Sequence, residues 1–301
     1  MSASASTKVI IAALLGNTAI SIIKFIAAFM TGSSAMLSEG IHSLVDTGNQ
    51  ILLLYGMKQA KKPADEDFPF GHGKEIYFWS FVVAILIFAV GSGISIYEGI
   101  LHIMTPALIK NPVVNYIVLA LAIVFEGGAW YFAFREFGKV KGQRGYIEAV
   151  KRGKDPSMFV VLFEDSAALL GLLIALLGIW MAQVTGNPVF DGIASVLIGF
   201  ILGGTAVWLA VETKSLLIGE GANKEVVASI RQITESFAEV EKVNELLTMH
   251  MGPEYVLVNI SVRFKRGQLT RELESVIHEL DAAIKREHEM VKRVFVEAES
   301  V

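Results

Sequence analysis

Residues 157–183 read SMFVVLFEDSAALLGLLIALLGIWMAQ, a long apolar run broken near its start by two adjacent carboxylates, Glu164 and Asp165. A helix needs about 20 apolar residues to cross the hydrocarbon core of a bilayer, so the length indicates a membrane span. The carboxylates add chemistry. An ionisable group inside a span is expensive and normally faces the interior of a helix bundle. Neighbouring residues point about 100° apart on a helix, so only one of Glu164 and Asp165 can easily meet a given partner. Two anions this close in a low-dielectric medium cannot both stay charged without a cation. A metal ion would supply one; the competing reading is a protonated carboxyl bonded to backbone.

Working outward, five further stretches have the length and apolarity of spans: 8–31, 35–57, 76–103, 112–135 and 190–212. With 53% hydrophobic and 19% charged residues in a chain of 301, the fold class is a polytopic α-helical membrane protein with six transmembrane helices. The first span follows Met1–Thr7 with no A-x-A cleavage signature, so it reads as a true span, and the short lead favours a bacterial inner membrane. Positive charge collects after the second span (Lys58, Lys61, Lys62, Lys74) and after the fourth (Arg135, Lys139, Lys141, Arg144, Lys151, Arg152, Lys154). By the positive-inside rule those loops, and with them both termini, are expected in the cytoplasm. A formal net charge of -4 leaves no basic surplus for nucleic acid. The absence of cysteine removes thiolate zinc sites and cysteine nucleophiles, so any metal is held by oxygen and imidazole.

The second span supplies such ligands. In Glu39-Gly-Ile-His42-Ser-Leu-Val-Asp46, His42 and Asp46 lie four apart and stack on one helical face. An imidazole and a carboxylate in that arrangement can converge on a divalent cation at about 2.0–2.2 Å. Glu39 lies a turn earlier on nearly the same face and Asn49 a turn later; the alternative is that these groups hydrogen-bond to neighbouring helices and hold the bundle together. Elsewhere, Glu126 in the fourth span and Lys24 in the first are expected to form a structural pair, because either charge alone would be too costly. Glu98 and His102, near the end of the third span, are expected to reach water.

Residues 216–301 differ from the 1–215 membrane domain: charged, amphipathic, with apolar runs too short to span. Asn223 can cap a helix to about Phe237, Val240–Met249 and Glu254–Phe264 alternate like strands, Leu269–Glu287 is amphipathic, and Arg293–Glu297 reads as a last strand. The order αββαβ suits a small α+β sandwich.

The runs 17–24, Gly32 to Asp46 (GSSAMLSEGIHSLVD), Pro63 to Glu75 (PADEDFPFGHGKE) and Asn187 to Ser195 (NPVFDGIAS) closely resemble the cation diffusion facilitator family of metal transporters. The resemblance covers nearly the whole chain, and implies a ferredoxin-like cytoplasmic domain acting in dimerisation. It also implies a homodimer exchanging Zn2+, Fe2+, Mn2+ or a related ion for protons. The family's pair on the second span matches His42 and Asp46; on the fifth, Asp165 matches the second position, but the first falls on Val161, which cannot ligate. Glu164 is then the nearest replacement, with water, Asn49 or Glu39 behind it, and the Glu-Asp pair resembles that of a subgroup of the family. The resemblance also suggests an accessory site at His72 with Asp65 and Asp67, and a clamp from Lys74 to Glu220 or Glu212. The cytoplasmic His250, His278 and His288 do not match the family's metal positions in that domain.

The expected function is divalent metal efflux by proton antiport through alternating access. Zn2+ leads, and Fe2+ and Mn2+ follow because one imidazole among carboxylates makes a hard site. The metal is cargo, and no prosthetic group is expected. The rival is a non-transporting metal sensor or scaffold, suggested by Val161. An enzyme is disfavoured, since no H-E-x-x-H, G-x-S-x-G or P-loop occurs.

Overall fold

The computed structural model describes residues 3–141 and 145–299. Arg144, counted above for orientation, lies outside the described residues, as do the side chains of Lys139, Lys151 and Arg152. The chain divides into two compact units: Met1–Met57, Phe78–Lys151 and Pro156–Thr213 form one, and Lys58–Tyr77, Arg152–Asp155 and Lys214–Val301 the other.

The first unit is a helix bundle. Helix α1 (Ala3–Thr31) passes into α2 (Ser34–Ala60) through Gly32, whose φ of 71° is a left-handed conformation that glycine adopts without steric cost. The third expected span, Glu75–Met104, is continuous but mixed: α3 (Glu75–Leu86), a π-helical segment (Ile87–Ser92) and α4 (Gly93–Met104). Then follow α5 (Pro112–Lys141), a short α6 (Tyr146–Arg152), α7 (Pro156–Thr185) and α8 (Val189–Ile218).

Among the described residues, five helices are long and apolar enough to cross a membrane: α1, the α3–α4 rod, α5, α7 and α8. Helix α2 has the length, 27 residues, but not the composition. The reason is its inner face. Ser38, Glu39, His42, Ser43 and Asn49 are buried, whereas Leu44 and Ile51 are more than half exposed at the bundle surface. A helix built this way presents apolar side chains outward and keeps its ionisable groups inside, as a sixth span must.

Glycines set how close the helices come. A Cβ at Gly99 would meet Gly192 O and Val196 N at 2.7 Å, and one at Gly192 would meet Gly99 O at 2.9 Å. Helices α4 and α8 therefore cross with backbones in contact, as small residues allow in membrane bundles. That crossing brings His102 to Asp191 rather than to water: Nε2 lies 3.6 Å from Asp191 Oδ2, with the carboxylate fully buried. Asp191 in turn accepts hydrogen bonds from Ser33 Oγ at 2.7 Å and from the Ser34 amide at 2.5 Å. It thus satisfies one of the amides that the start of α2 would otherwise leave unbonded.

The second unit contains α9 (Lys224–Glu235), β1 (Val240–Gly252), β2 (Tyr255–Phe264), α10 (Thr270–Glu287) and β3 (Val291–Ala298). The order is αββαβ; β1 pairs with β2 antiparallel and β2 with β3 parallel, so β2 is central. Val256, Val258, Ile260 and Val262 alternate along β2 and are fully buried against Ile230 of α9 and Leu280 and Ile284 of α10. Each such side chain contributes about 1.5–3 kcal/mol on burial.

The loop segments 58–77 and 152–155 join this unit, which a single division at residue 215 does not anticipate. Contacts far apart in sequence explain it. The backbone of Gly73 lies so close to Met251 and Gly252 that a Cβ there would collide with the Met251 carbonyl. The Phe70 ring sits edge-on to Phe295 at 6.5 Å, and Tyr77 Oη donates to Lys154 O at 3.1 Å.

Candidate metal centre

The inner face of α2 meets α7. His42 Nδ1 lies 3.1 Å from Asp46 Oδ1, and both side chains are inside the bundle. Neither ring nitrogen of His42 nor that oxygen has a hydrogen-bond partner among the described residues. Asn49 Nδ2 donates to Glu164 Oε1 at 2.5 Å, and the Asp46 and Glu164 carboxyls are within hydrogen-bonding reach of each other. The i,i+4 spacing on α2 and the packing of the two helices thus bring one imidazole, two carboxyls and one carboxamide together in a buried space. Their lone pairs are left largely unclaimed, which is the property of a cation-binding or proton-exchanging site, since buried polar atoms are otherwise nearly always satisfied.

The profile of the cation efflux transmembrane domain matches residues 10–218 of the chain. The chain belongs to the cation diffusion facilitator family. It is 33% identical over 266 residues, 88% of its length and 48% of the relative's, to the mitochondrial proton-coupled zinc antiporter SLC30A9 of Xenopus laevis. To metal tolerance protein C4 of Arabidopsis thaliana it is 29% identical over 82% of the chain and 55% of the relative. To the manganese efflux system protein MneP of Bacillus subtilis it is 22% identical over 97% of the chain and 95% of the relative. The chain spans about half the length of the first two of these relatives. One of these relatives is named as mitochondrial and another comes from a bacterium, so the comparisons do not choose a membrane. A pattern of apolar spans does not distinguish the two membranes.

Within this diffusion-facilitator bundle the expected ligands separate. Glu39 does not join His42, Asp46 and Glu164: its Oε2 takes the Lys24 ammonium at 3.0 Å, and Glu39 is fully buried. The same Nζ donates to Glu126 Oε1 at 2.8 Å and to Ser43 Oγ at 2.8 Å, so Lys24 draws α1, α2 and α5 together. A buried ammonium is satisfied only by several oxygens at once, which is why Glu39 is not free to serve elsewhere. Asp165 is near enough for its charge to act at Asp46 but makes no hydrogen bond to α2 among the described residues. Glu164 takes the α2-facing direction and Asp165 the next one round the helix. Val161 packs with the apolar core. Among the described residues no three His, Asp or Glu side chains are arranged to hold an ion simultaneously.

Among the described residues the expected clamp from Lys74 to Glu220 is not formed. Glu220 pairs with Lys154 at 2.6 Å, while Lys74 Nζ contacts Met249 Sδ at 3.7 Å. Lys154 is carried to Glu220 by the segment that Tyr77 anchors, a proximity invisible along the chain. In the loop, His72 Nε2 and Asp65 Oδ2 are 2.8 Å apart, Asp65 Oδ1 accepts from the Phe68 amide at 2.7 Å, and Asp67 stands exposed outside the pair. The His72 hydrogen bond holds the Asp65 carboxyl below its ordinary range. In the C-terminal unit His250 is buried, which lowers its pKa, with Nδ1 3.4 Å from Gly252 O; His288 Nε2 lies 2.8 Å from Ser229 Oγ.

Sequence reasoning missed Asp191 as a joint between α2, α4 and α8. The available signal was a carboxylate in the first turn of an apolar span, where a helix N-terminus favours it.

Proposed function

We propose that the chain exports a divalent metal ion in exchange for protons, binding the ion between α2 and α7 at His42, Asp46, Glu164 and Asp165, with Asn49 positioning Glu164. The supporting observation is the pair of imidazole nitrogens and the Asp46 oxygen buried without partners opposite a second carboxyl. Zn2+ is the leading substrate, in keeping with the zinc antiporter relative; Mn2+, which MneP is named for exporting, and Fe2+ follow from the harder ligand set. The acidic pair at Glu164 and Asp165 sets the chain beside the family subgroup it resembles.

Proton coupling follows from the ligands themselves. Imidazole and carboxyl groups must be deprotonated to bind metal, so arrival of the ion on one side expels protons and protonation on the other expels the ion. The bundle works by alternating access in a homodimer, with both termini cytoplasmic and the αββαβ unit joining protomers. The test is uptake by purified protein in liposomes, with a panel of divalent ions and an imposed proton gradient. Metal accumulation with opposite proton flux supports transport. Binding without accumulation would instead identify the sensor reading that Val161 suggests.

A further inference from the structure

The Lys24 cluster is not used by the transport cycle just described, yet it is built like a cation site. Three oxygens, Glu39 Oε2, Glu126 Oε1 and Ser43 Oγ, surround Nζ at 3.0, 2.8 and 2.8 Å. Two more, Glu39 Oε1 and Glu126 Oε2, are buried with no hydrogen-bond partner among the described residues. Two carboxylates against one ammonium leave the cluster one charge negative when all are ionised. Glu39 is fully buried and Glu126 is 11% exposed, so water offers little compensation.

We propose that the Lys24 ammonium is a resident cation occupying a second divalent-cation site formed by Glu39, Glu126 and Ser43, and that it restricts the protomer to one exchangeable ion. The chemistry is a size and charge substitution. An ammonium at 2.8–3.0 Å from three oxygens fills the place where a hard cation would take the same oxygens at about 2.0–2.6 Å. The all-oxygen set suits Mn2+ or Mg2+ over Zn2+, unlike the imidazole-containing face a turn away. By holding Glu39, Lys24 also keeps a fourth carboxylate from joining Asp46, Glu164 and Asp165, so it determines how much negative charge the exchangeable ion meets.

The test counts Mn2+ bound per protomer by equilibrium dialysis and Mn2+ electron paramagnetic resonance, on full-length chains in detergent. The chains are Asp46→Ala, Lys24→Ser/Asp46→Ala and Lys24→Ser/Asp46→Ala/Glu126→Gln. Lys24→Ser removes the ammonium and leaves a hydroxyl and space. The expected result is one more Mn2+ per protomer in the double variant than in Asp46→Ala, lost again in the triple variant. A folded double variant that gains no Mn2+ overturns the proposal. If the double variant aggregates, it is purified with and without millimolar Mn2+: recovery only with Mn2+ supports the site, and equal loss in both overturns it. Because the readout is a difference between chains, residual Mn2+ on Asp46→Ala would count against the transport site and leave this inference standing.

Discussion

Two groups of buried carboxylates are represented on α2 by Glu39 and Asp46, about two turns apart, and their surroundings are opposite. Around Lys24, Glu39 and Glu126 meet an ammonium of the chain itself, which links three helices at 2.8–3.0 Å. On the α2–α7 face, Asp46 and Glu164 meet each other, an amide and an imidazole, and no lysine or arginine forms an ion pair with them among the described residues. In both places burial makes bare charge too costly to leave alone. The chain gives the first group a cation of its own, and gives the second none among the described residues. Buried acid is therefore not in itself the mark of a transport site; the α2–α7 face is proposed as one because its acids have no cation of the chain's own.

The comparison can be broken most directly at Asp46. Asp46→Ala should reduce metal-dependent proton flux in proteoliposomes to the level of protein-free liposomes while the helix content and detergent monodispersity persist. Flux like that of the parent would refute the α2–α7 site. At the compensated cluster the large effect should fall on stability instead. Lys24→Met leaves two buried carboxylates without their cation and should cost about 3–5 kcal/mol, read as a lowered melting temperature in detergent. Adding Glu126→Gln removes one of the stranded charges and should recover part of that loss. If Lys24→Met melts with the parent, the cluster is not held by its charge.

A smaller effect is expected at Gly171, whose missing side chain gives Glu39 its space: a Cβ there would collide with Glu39 Oε1. Because Lys24 tethers the carboxylate, it cannot swing clear, and Gly171→Ala should cost about 1–3 kcal/mol by overpacking. Unchanged melting would mean that the Glu39 carboxylate is free to move. The smallest effect belongs to the exposed pair Asp65–His72, where water already compensates charge. Asp65→Asn should leave the melting temperature unchanged within error. Since the folded Asp65 carboxyl sits below its ordinary 3.8, its contribution is present above that value and fades as pH falls through the lower folded value. Side-chain carboxyl NMR shifts of Asp65 followed through acid titration would check the sign.

The span pattern was legible because the bilayer imposes a length and an apolarity that few other structures need, and the strands and helices of residues 216–301 because alternation and amphipathic period survive in one dimension. His42 with Asp46 could be picked out because a helix fixes what lies four residues away. Lys24 and Glu126 could be matched because a lone charge in a span leaves few acceptable partners. Which of several acids takes a given partner is a different matter. Glu39 on the Lys24 ammonium, Glu164 rather than Asp165 toward α2, His102 turned to Asp191, and Lys154 rather than Lys74 on Glu220 were all decided by how closely helices and loops approach. That approach depends on glycine crossings such as Gly99 on Gly192 and on loop contacts such as Gly73 on Met251. Sequence carries the requirement that a buried charge be answered; only the packed structure sets the distances of an ångström or so that choose the answering group, because a charge interaction in low dielectric rises steeply as separation shrinks.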